Sequence, residues 1–285
     1  MVSTGAELAL SAIVMWAFSS IMFKRVAVAL GNIKTGLFVI GAGLIPIAVY
    51  AFYAGSAISL YAFALAMLSG LIFGAAALFY YKAVETQPIS GTVTIGLIQP
   101  VLIFVFSILV LKESMNLAEI VGGIVIILGV CLVSLTDEFH FNRRLIPAFL
   151  GQAIWAFYWM ALSLSIVSVS QAAMPLMISR IFAFLVVILA YKIFIQKKAP
   201  RRRSFRTLVK HTSLLGVLSG ILDGSGNLLY SNVVLLGALA VAATIQIALP
   251  LIVVALARIF LSEKLTRLQA AGVLIAIAGA AILTV

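Results

Sequence analysis

Three ionisable side chains interrupt otherwise apolar stretches of this chain: Arg180, Asp223 and Arg258. Charge inside a bilayer is costly and normally faces a cavity or a partner. Arg258 lies close enough to the end of its stretch to reach the headgroups. Arg180 and Asp223 lie deeper, roughly 9 and 12 Å from a common membrane face at 1.5 Å per helical residue. They are near enough in depth to pair. A carboxylate beside a guanidinium leaves three uses open: a fixed ion pair, a gating or substrate-charge role, or proton coupling through Asp223.

A second constellation is built on two prolines. Pro100 and Pro250 fall mid-stretch, where a missing backbone donor is expected to kink a helix and free a carbonyl. The amides of Gln99 and Gln246 lie within a turn of these positions and could bind a substrate or join two helices. The aromatics Trp16, Tyr80, Tyr81, Trp155, Tyr158, Trp159 and Tyr230 complete the set, with Asn227 one turn from Asp223. Membrane aromatics usually form interfacial belts, which suits Tyr80, Tyr81 and Tyr230 near the ends of their stretches. Trp16 and Trp155 fall near the centres, where either core packing or the lining of a midplane cavity accounts for them. The candidate substrate-binding residues are therefore Trp16, Tyr80, Gln99, Trp155, Tyr158, Trp159, Asn227, Tyr230 and Gln246. Arg180 and Asp223 are the gating or coupling candidates.

The elements that must hold these residues are membrane helices. The chain is 64% hydrophobic and only 9% charged, against about 25% charged in a soluble domain. Ten apolar stretches of bilayer-spanning length can be bounded, at about 7–23, 35–53, 60–81, 91–111, 117–135, 145–166, 174–195, 213–231, 238–261 and 268–284. Several connections are too short for anything but antiparallel neighbours. The first stretch has its positive charges, Lys24 and Arg25, after it and so reads as a retained span, not a cleaved signal.

Residues 65–133 align with residues 215–283 at a constant offset of 150. The identities include Gly70/Gly220, Gly74/Gly224, Tyr80/Tyr230, Pro100/Pro250, Glu113/Glu263 and Gly129/Gly279, beyond what apolar composition produces by chance. In the opening spans Trp16-Ala17-Phe18 matches Trp155-Ala156-Phe157. Two five-span halves, 1–138 and 139–285, are expected. An odd number of spans inverts the second relative to the first. Gly216, Gly220 and Gly224, echoed by Gly70 and Gly74, form a small-residue face for tight helix packing.

The net charge of +11 does not point to nucleic acid, because eight of the nineteen basic residues lie between Lys192 and Lys210, beside a span. Such a run fixes topology and touches anionic headgroups. The basic excess follows the odd-numbered spans, which predicts cytoplasmic loops there and both termini outside.

A mid-span Pro, a following Leu-x-Glu and a Gly-x6-Gly helix recur in both halves: Pro100, Leu111-Lys112-Glu113 and Gly122 to Gly129, then Pro250, Leu261-Ser262-Glu263 and Gly272 to Gly279. This pattern resembles the drug/metabolite transporter superfamily, EamA type, and within it the YddG-type aromatic amino-acid exporters. The resemblance implies an all-α integral membrane protein of ten helices in a bacterial inner membrane, exporting small metabolites such as amino acids. An Arg often found near the start of span two is missing, while span seven keeps Arg180.

The leading reading is a secondary transporter that exports small amphipathic metabolites by alternating access. Its alternatives are an exporter of cationic drugs or quaternary amines, which would need Asp223, and a passive channel. The chain has no Walker A sequence for an ATPase of its own. Both histidines, His140 and His211, fall in loops, and the single Cys131 makes a thiolate metal site improbable. No catalytic residue, metal site or cofactor is expected. The expected partners are a small-molecule substrate and lipid, and the protein is read as a monomer.

Overall fold

A computed structural model describes all residues except 1, 55–56, 97, 111, 113–116, 135–144, 196–205, 238, 263–265 and 283–285. The described chain is helical: α1 (Val2–Leu30), α2 (Asn32–Ala54), α3 (Leu60–Thr86), α4 (Ile89–Ile95), α5 (Ile98–Leu109), α6 (Leu117–Ser134), α7 (Ile146–Val169), α8 (Ala173–Phe194), α9 (Arg206–Leu235), α10 (Leu239–Gln246), α11 (Leu249–Leu261) and α12 (Arg267–Ile282). Among the described residues, α1, α2, α3, α7 and α8 are each long and apolar enough to cross a bilayer alone. The fourth span of each half is assembled from two segments, α4 with α5 and α10 with α11. Ten spans result, as two inverted five-helix repeats. The expected junction of the halves at 138/139, the Glu of each Leu-x-Glu and most of the basic run lie outside the described residues.

The packing repeats the duplication. Helix α1 packs on α9 as α7 packs on α3, and α2 on α9 as α8 on α3. Helix α1 meets α11 as α7 meets α5, while α2 with α8 and α6 with α12 pair equivalent spans directly. Each of these contacts has a partner under exchange of the halves, the signature of a two-fold axis through the bundle.

Glycines allow the closest of these approaches. At Gly220 an added Cβ would stand 2.6 Å from the carbonyl oxygen of Val39, and at Gly224 it would strike the backbone of Gly43. Gly70 and Gly74, their counterparts at the offset of 150, meet the carbonyls of Ser179 and Ala183 on α8 in the same manner. The small-residue face read in the sequence is therefore used twice. Each use lets two backbones touch without a hydrophobic driving force.

One end of the bundle is tied by α1, which runs past the apolar stretch to Leu30. Lys24 and Arg25, expected in a loop, lie on this helix. Lys24 donates to the carbonyls of Val84 and Gln87 at 2.7 and 2.6 Å, at the end of α3. Arg25 donates to Phe260 at 2.8 Å, at the end of α11. Helix C-termini present unsatisfied carbonyls and a partial negative charge, which these cations meet.

Candidate functional site

Both broken spans are interrupted at the same place in the repeat. Helix α4 ends at Ile95 and α5 starts at Ile98; α10 ends at Gln246 and α11 starts at Leu249. Tight i to i+3 bonds bridge the gaps: Gly96 N–H to Val93 and Gln99 N–H to Gly96 in the first, Ala248 N–H to Ile245 and Leu251 N–H to Ala248 in the second. Pro100 and Pro250 do not sit at the kinks, which corrects the expectation from sequence. Each lies in the first turn of the segment after the break, where a missing N–H costs nothing because that turn has no intrahelical acceptor for it. Nor is a carbonyl left free at Gly96, since the Gln99 N–H takes it at 3.1 Å. Helix α5 packs on α10 and α4 on α11, so the two breaks cross side by side.

Beside the breaks lies a cavity of about 90 Å³. Helix α1 contributes Trp16, Ser19, Ser20 and Phe23; α3 contributes Phe73 and Tyr80; α7 contributes Gln152, Trp155, Tyr158 and Trp159. Asp223 and Asn227 come from α9, and Gly96, Gln99, Gln246, Leu249 and Pro250 from the two breaks. Ten of the sequence-derived candidates thus meet around one space: Trp16, Tyr80, Gln99, Trp155, Tyr158, Trp159, Asp223, Asn227, Gln246 and Pro250. The volume of that space is well below the several hundred Å³ usual for a drug-sized ligand.

Two candidates stand outside the lining, and the side chain of Pro100 lies outside the described residues. Tyr230 is fully buried behind the cavity, donates to the Gln246 Oε1 at 3.1 Å, and packs its ring 4.6 Å from Trp159 and 5.3 Å from Trp16. Arg180, 1% exposed, lies behind Asp223. The belt expected of Tyr80, Tyr81 and Tyr230 does not form, because all three rings turn inward and are at most 4% exposed. Their place near the ends of apolar stretches was misleading: α3 and α9 extend well past those stretches to Thr86 and Leu235.

The aromatic arrangement follows the duplication. Trp16 against Tyr230 is matched by Trp155 against Tyr80, at 5.3 and 5.0 Å between ring centroids. Around these symmetric pairs the polar groups are asymmetric. Tyr158 donates to Asn227 at 3.3 Å, and Asn227 donates to the Asp223 carbonyl at 2.7 Å. Ser19 pairs with Ser219 at 2.9 Å, and the Trp16 Nε1 donates to the Asp223 carbonyl at 3.4 Å.

Arg180 and Asp223 form an ion pair, Nη2 to Oδ2, of 2.7 Å. The guanidinium also lies 4.2 Å over the ring of Phe73, within cation–π range. Its Nε and Nη1 have no hydrogen-bond partner among the described residues. Phe73 and Asp223 occupy equivalent positions at the offset of 150, so one arginine bridges the two halves of the repeat. Arg258 is exposed near the end of α11, as its position implied.

Sequence reasoning missed Ser19, Ser20, Phe23, Phe73, Val93, Gly96, Gln152 and Leu249. For Gln152 a signal existed: it is a lone amide in an apolar span, one turn before Trp155 on the same helical face. For Phe73 the signal was its match to Asp223.

The model of the EamA-like transporter family matches the chain twice, over residues 3–135 and 144–285. No curated protein matches it significantly. A solved crystal structure of a protein superposes with a TM-score of 0.70 at 15% sequence identity, covering 100% of this chain and 97% of the other. That similarity extends the fold over the whole chain.

Proposed function

The chain belongs to the EamA-like transporter family, within the drug/metabolite transporter superfamily, and from that premise we propose that it exports small amphipathic metabolites, amino acids with aromatic ones among them, by alternating access. It is a multi-pass membrane transporter with a small-molecule substrate; its family transports and does not catalyse. The finer reading rests on the charge balance of the cavity. Asp223 is the single charged residue of the lining among the described residues, and Arg180 already neutralises it at 2.7 Å. A site with no net charge, walled by indole and phenol rings and edged by amides, suits a zwitterion with an apolar body. A permanent cation would have to compete with Arg180 for the carboxylate. The small volume fits a stage of the cycle in which helix movement must widen the cavity to admit the substrate.

The two halves, 1–138 and 139–285, would rock against each other around the crossing breaks, with Arg180 and Asp223 as gating or coupling groups. We place the protein in a bacterial inner membrane as a monomer, with both termini outside. The test is counterflow into proteoliposomes with a panel of amino acids, nucleosides and quaternary amines, with and without a pH gradient. Counterflow of amino acids, strongest for aromatic ones, is expected. Flux of quaternary amines alone would transfer the assignment to cation export, and flux without counterflow would indicate a channel.

A further inference from the structure

We propose that Gln152 and Trp155 on α7 form the subsite for the polar head group of the substrate, resting on the amino-acid reading above. Only two lining residues keep a buried polar side-chain atom with no partner among the described residues: Gln152, through Oε1, and Trp155, through Nε1. One is an acceptor and the other a donor. They lie one turn apart on a single helix face. A buried donor or acceptor without a partner is unfavourable; both atoms are covered here although their residues line the cavity, and widening of the cavity around a ligand that supplies the complement would stabilise them. The complement of this pair is a head group with an N–H or ammonium for Oε1 and a carboxylate or carbonyl oxygen for Nε1–H. An α-amino acid carries both.

The duplication shows that this pole exists on one side only. At the spacing that matches Trp155 to Trp16, the counterpart of Gln152 is Ile13, a fully buried apolar residue. The counterpart indole already has its acceptor in the Asp223 carbonyl. On the side where Trp16, Trp159 and Tyr230 pack together, the polar groups Ser19, Ser20, Asp223 and Asn227 already have partners. The other carries the unmatched pair. Gln152 also abuts the first break, where a Cβ at Gly96 would stand 3.0 Å from its Nε2. A substrate would be oriented with its head toward α7 and the first break and its apolar body toward Trp16 and Trp159. Gln152 then acts as a specificity-determining residue.

The experiment measures counterflow and thermal stabilisation in detergent for wild type, Gln152→Leu and Trp155→Phe. The probes are L-phenylalanine, phenethylamine (no carboxylate) and 3-phenylpropionate (no ammonium). Gln152→Leu should weaken L-phenylalanine and phenethylamine roughly tenfold and leave 3-phenylpropionate unchanged. Trp155→Phe, which keeps a ring but loses the N–H, should weaken L-phenylalanine and 3-phenylpropionate and spare phenethylamine. A hydrogen bond to a charged group sets changes of this order. Without ligand, Gln152→Leu should melt at or above wild type, because it removes an unmatched acceptor; a lower midpoint would make Gln152 a packing residue and overturn the subsite. If wild type handles L-phenylalanine and the variants shift all three probes equally or none, the subsite fails and the amino-acid reading stands. If wild type ignores L-phenylalanine but handles phenethylamine or 3-phenylpropionate, and the variants show the selectivity above, the amino-acid reading fails and the subsite stands. Binding of none of the three probes by wild type overturns both.

Discussion

The ion pair between Arg180 and Asp223 makes an unequal demand on its two members. The Arg180 side chain is 1% exposed and that of Asp223 is 18% exposed. Two of the three guanidinium nitrogens lack a partner among the described residues, so Asp223 supplies the hydrogen bond and the countercharge that hold the cation in place. Replacing Asp223 with Asn strands that cation. Breaking a buried pair in this way costs about 3–5 kcal/mol; Asn keeps an acceptor oxygen, which places the loss near the lower end. At about 2–4 °C per kcal/mol for a chain of this size, the thermal midpoint in detergent should fall by roughly 6–12 °C. Arg180→Gln should cost less, since the carboxylate it leaves borders the cavity and can be hydrated there. The double variant should recover part of the Asp223→Asn loss, with a coupling of about 1–3 kcal/mol in the double-mutant cycle. An Arg180→Gln loss equal to or greater than that of Asp223→Asn would refute the burial argument. A well-folded Asp223→Asn variant with no transport would show that the pair is more than a static brace, and loss of the response to a pH gradient alone would assign the carboxylate to proton coupling.

Substitution of Gly220 by Ala should destabilise by about 1–3 kcal/mol, because the new methyl meets the Val39 carbonyl and the Ala42 Cβ at 2.6 and 2.7 Å; Gly91→Ala on α4, with nothing within 4 Å, should be neutral or slightly stabilising in the same melting assay. Trp16→Ala should weaken apparent affinity for aromatic and large aliphatic substrates about fivefold to tenfold, the scale of one aromatic contact, and spare small polar ones; unchanged preference in the counterflow panel would remove that indole from the site. A reporter active only in the cytoplasm, fused after Val285, should be silent; strong activity would reverse the orientation and leave the inverted repeat intact.

The scaffold was legible because membrane physics writes it plainly. Span lengths, the offset of 150 and the paired glycines follow from the need to satisfy every backbone group within lipid and to bring backbones close. The aromatic and amide candidates converged because residues of unusual polarity at mid-span have few other reasons to be there. The errors came where local signals were ambiguous. A proline between apolar residues reads as a kink, yet here it starts a new segment after a break already made by Gly96 in one half and at Gln246 in the other. Tyr80 and Tyr230 near apparent span ends read as a belt, since hydropathy alone does not reveal that α3 and α9 continue beyond the apolar stretch. Phe73 and Gln152 were overlooked because their roles are relational. Each becomes visible only when compared with its counterpart in the other half.

Those comparisons separate two properties that a duplicated transporter must combine. Alternating access needs a scaffold whose halves can exchange conformations, and the matched helix contacts, glycine approaches and Trp–Tyr pairs provide it. Orienting an asymmetric substrate needs the opposite: equivalent positions must carry different chemistry. That is where the departures from the repeat cluster. Phe73 faces Asp223, Ala77 faces Asn227, Ile13 faces Gln152, and Ser19-Ser20 faces Tyr158-Trp159 across the pseudo-two-fold relation. Even the glutamines at the breaks are out of step, since Gln99 matches Leu249 and Gln246 matches Gly96. Arg180 touches one such unequal pair at both members, the ring of Phe73 and the carboxylate of Asp223. Arg180 and Asp223 belong to the same half, so a movement that changed the separation of the two halves would change the contact with Phe73 and leave the ion pair in place. A side chain with that geometry registers the relative position of the repeats, which gives the ion pair a reason to lie beside the cavity and not at the periphery of the bundle.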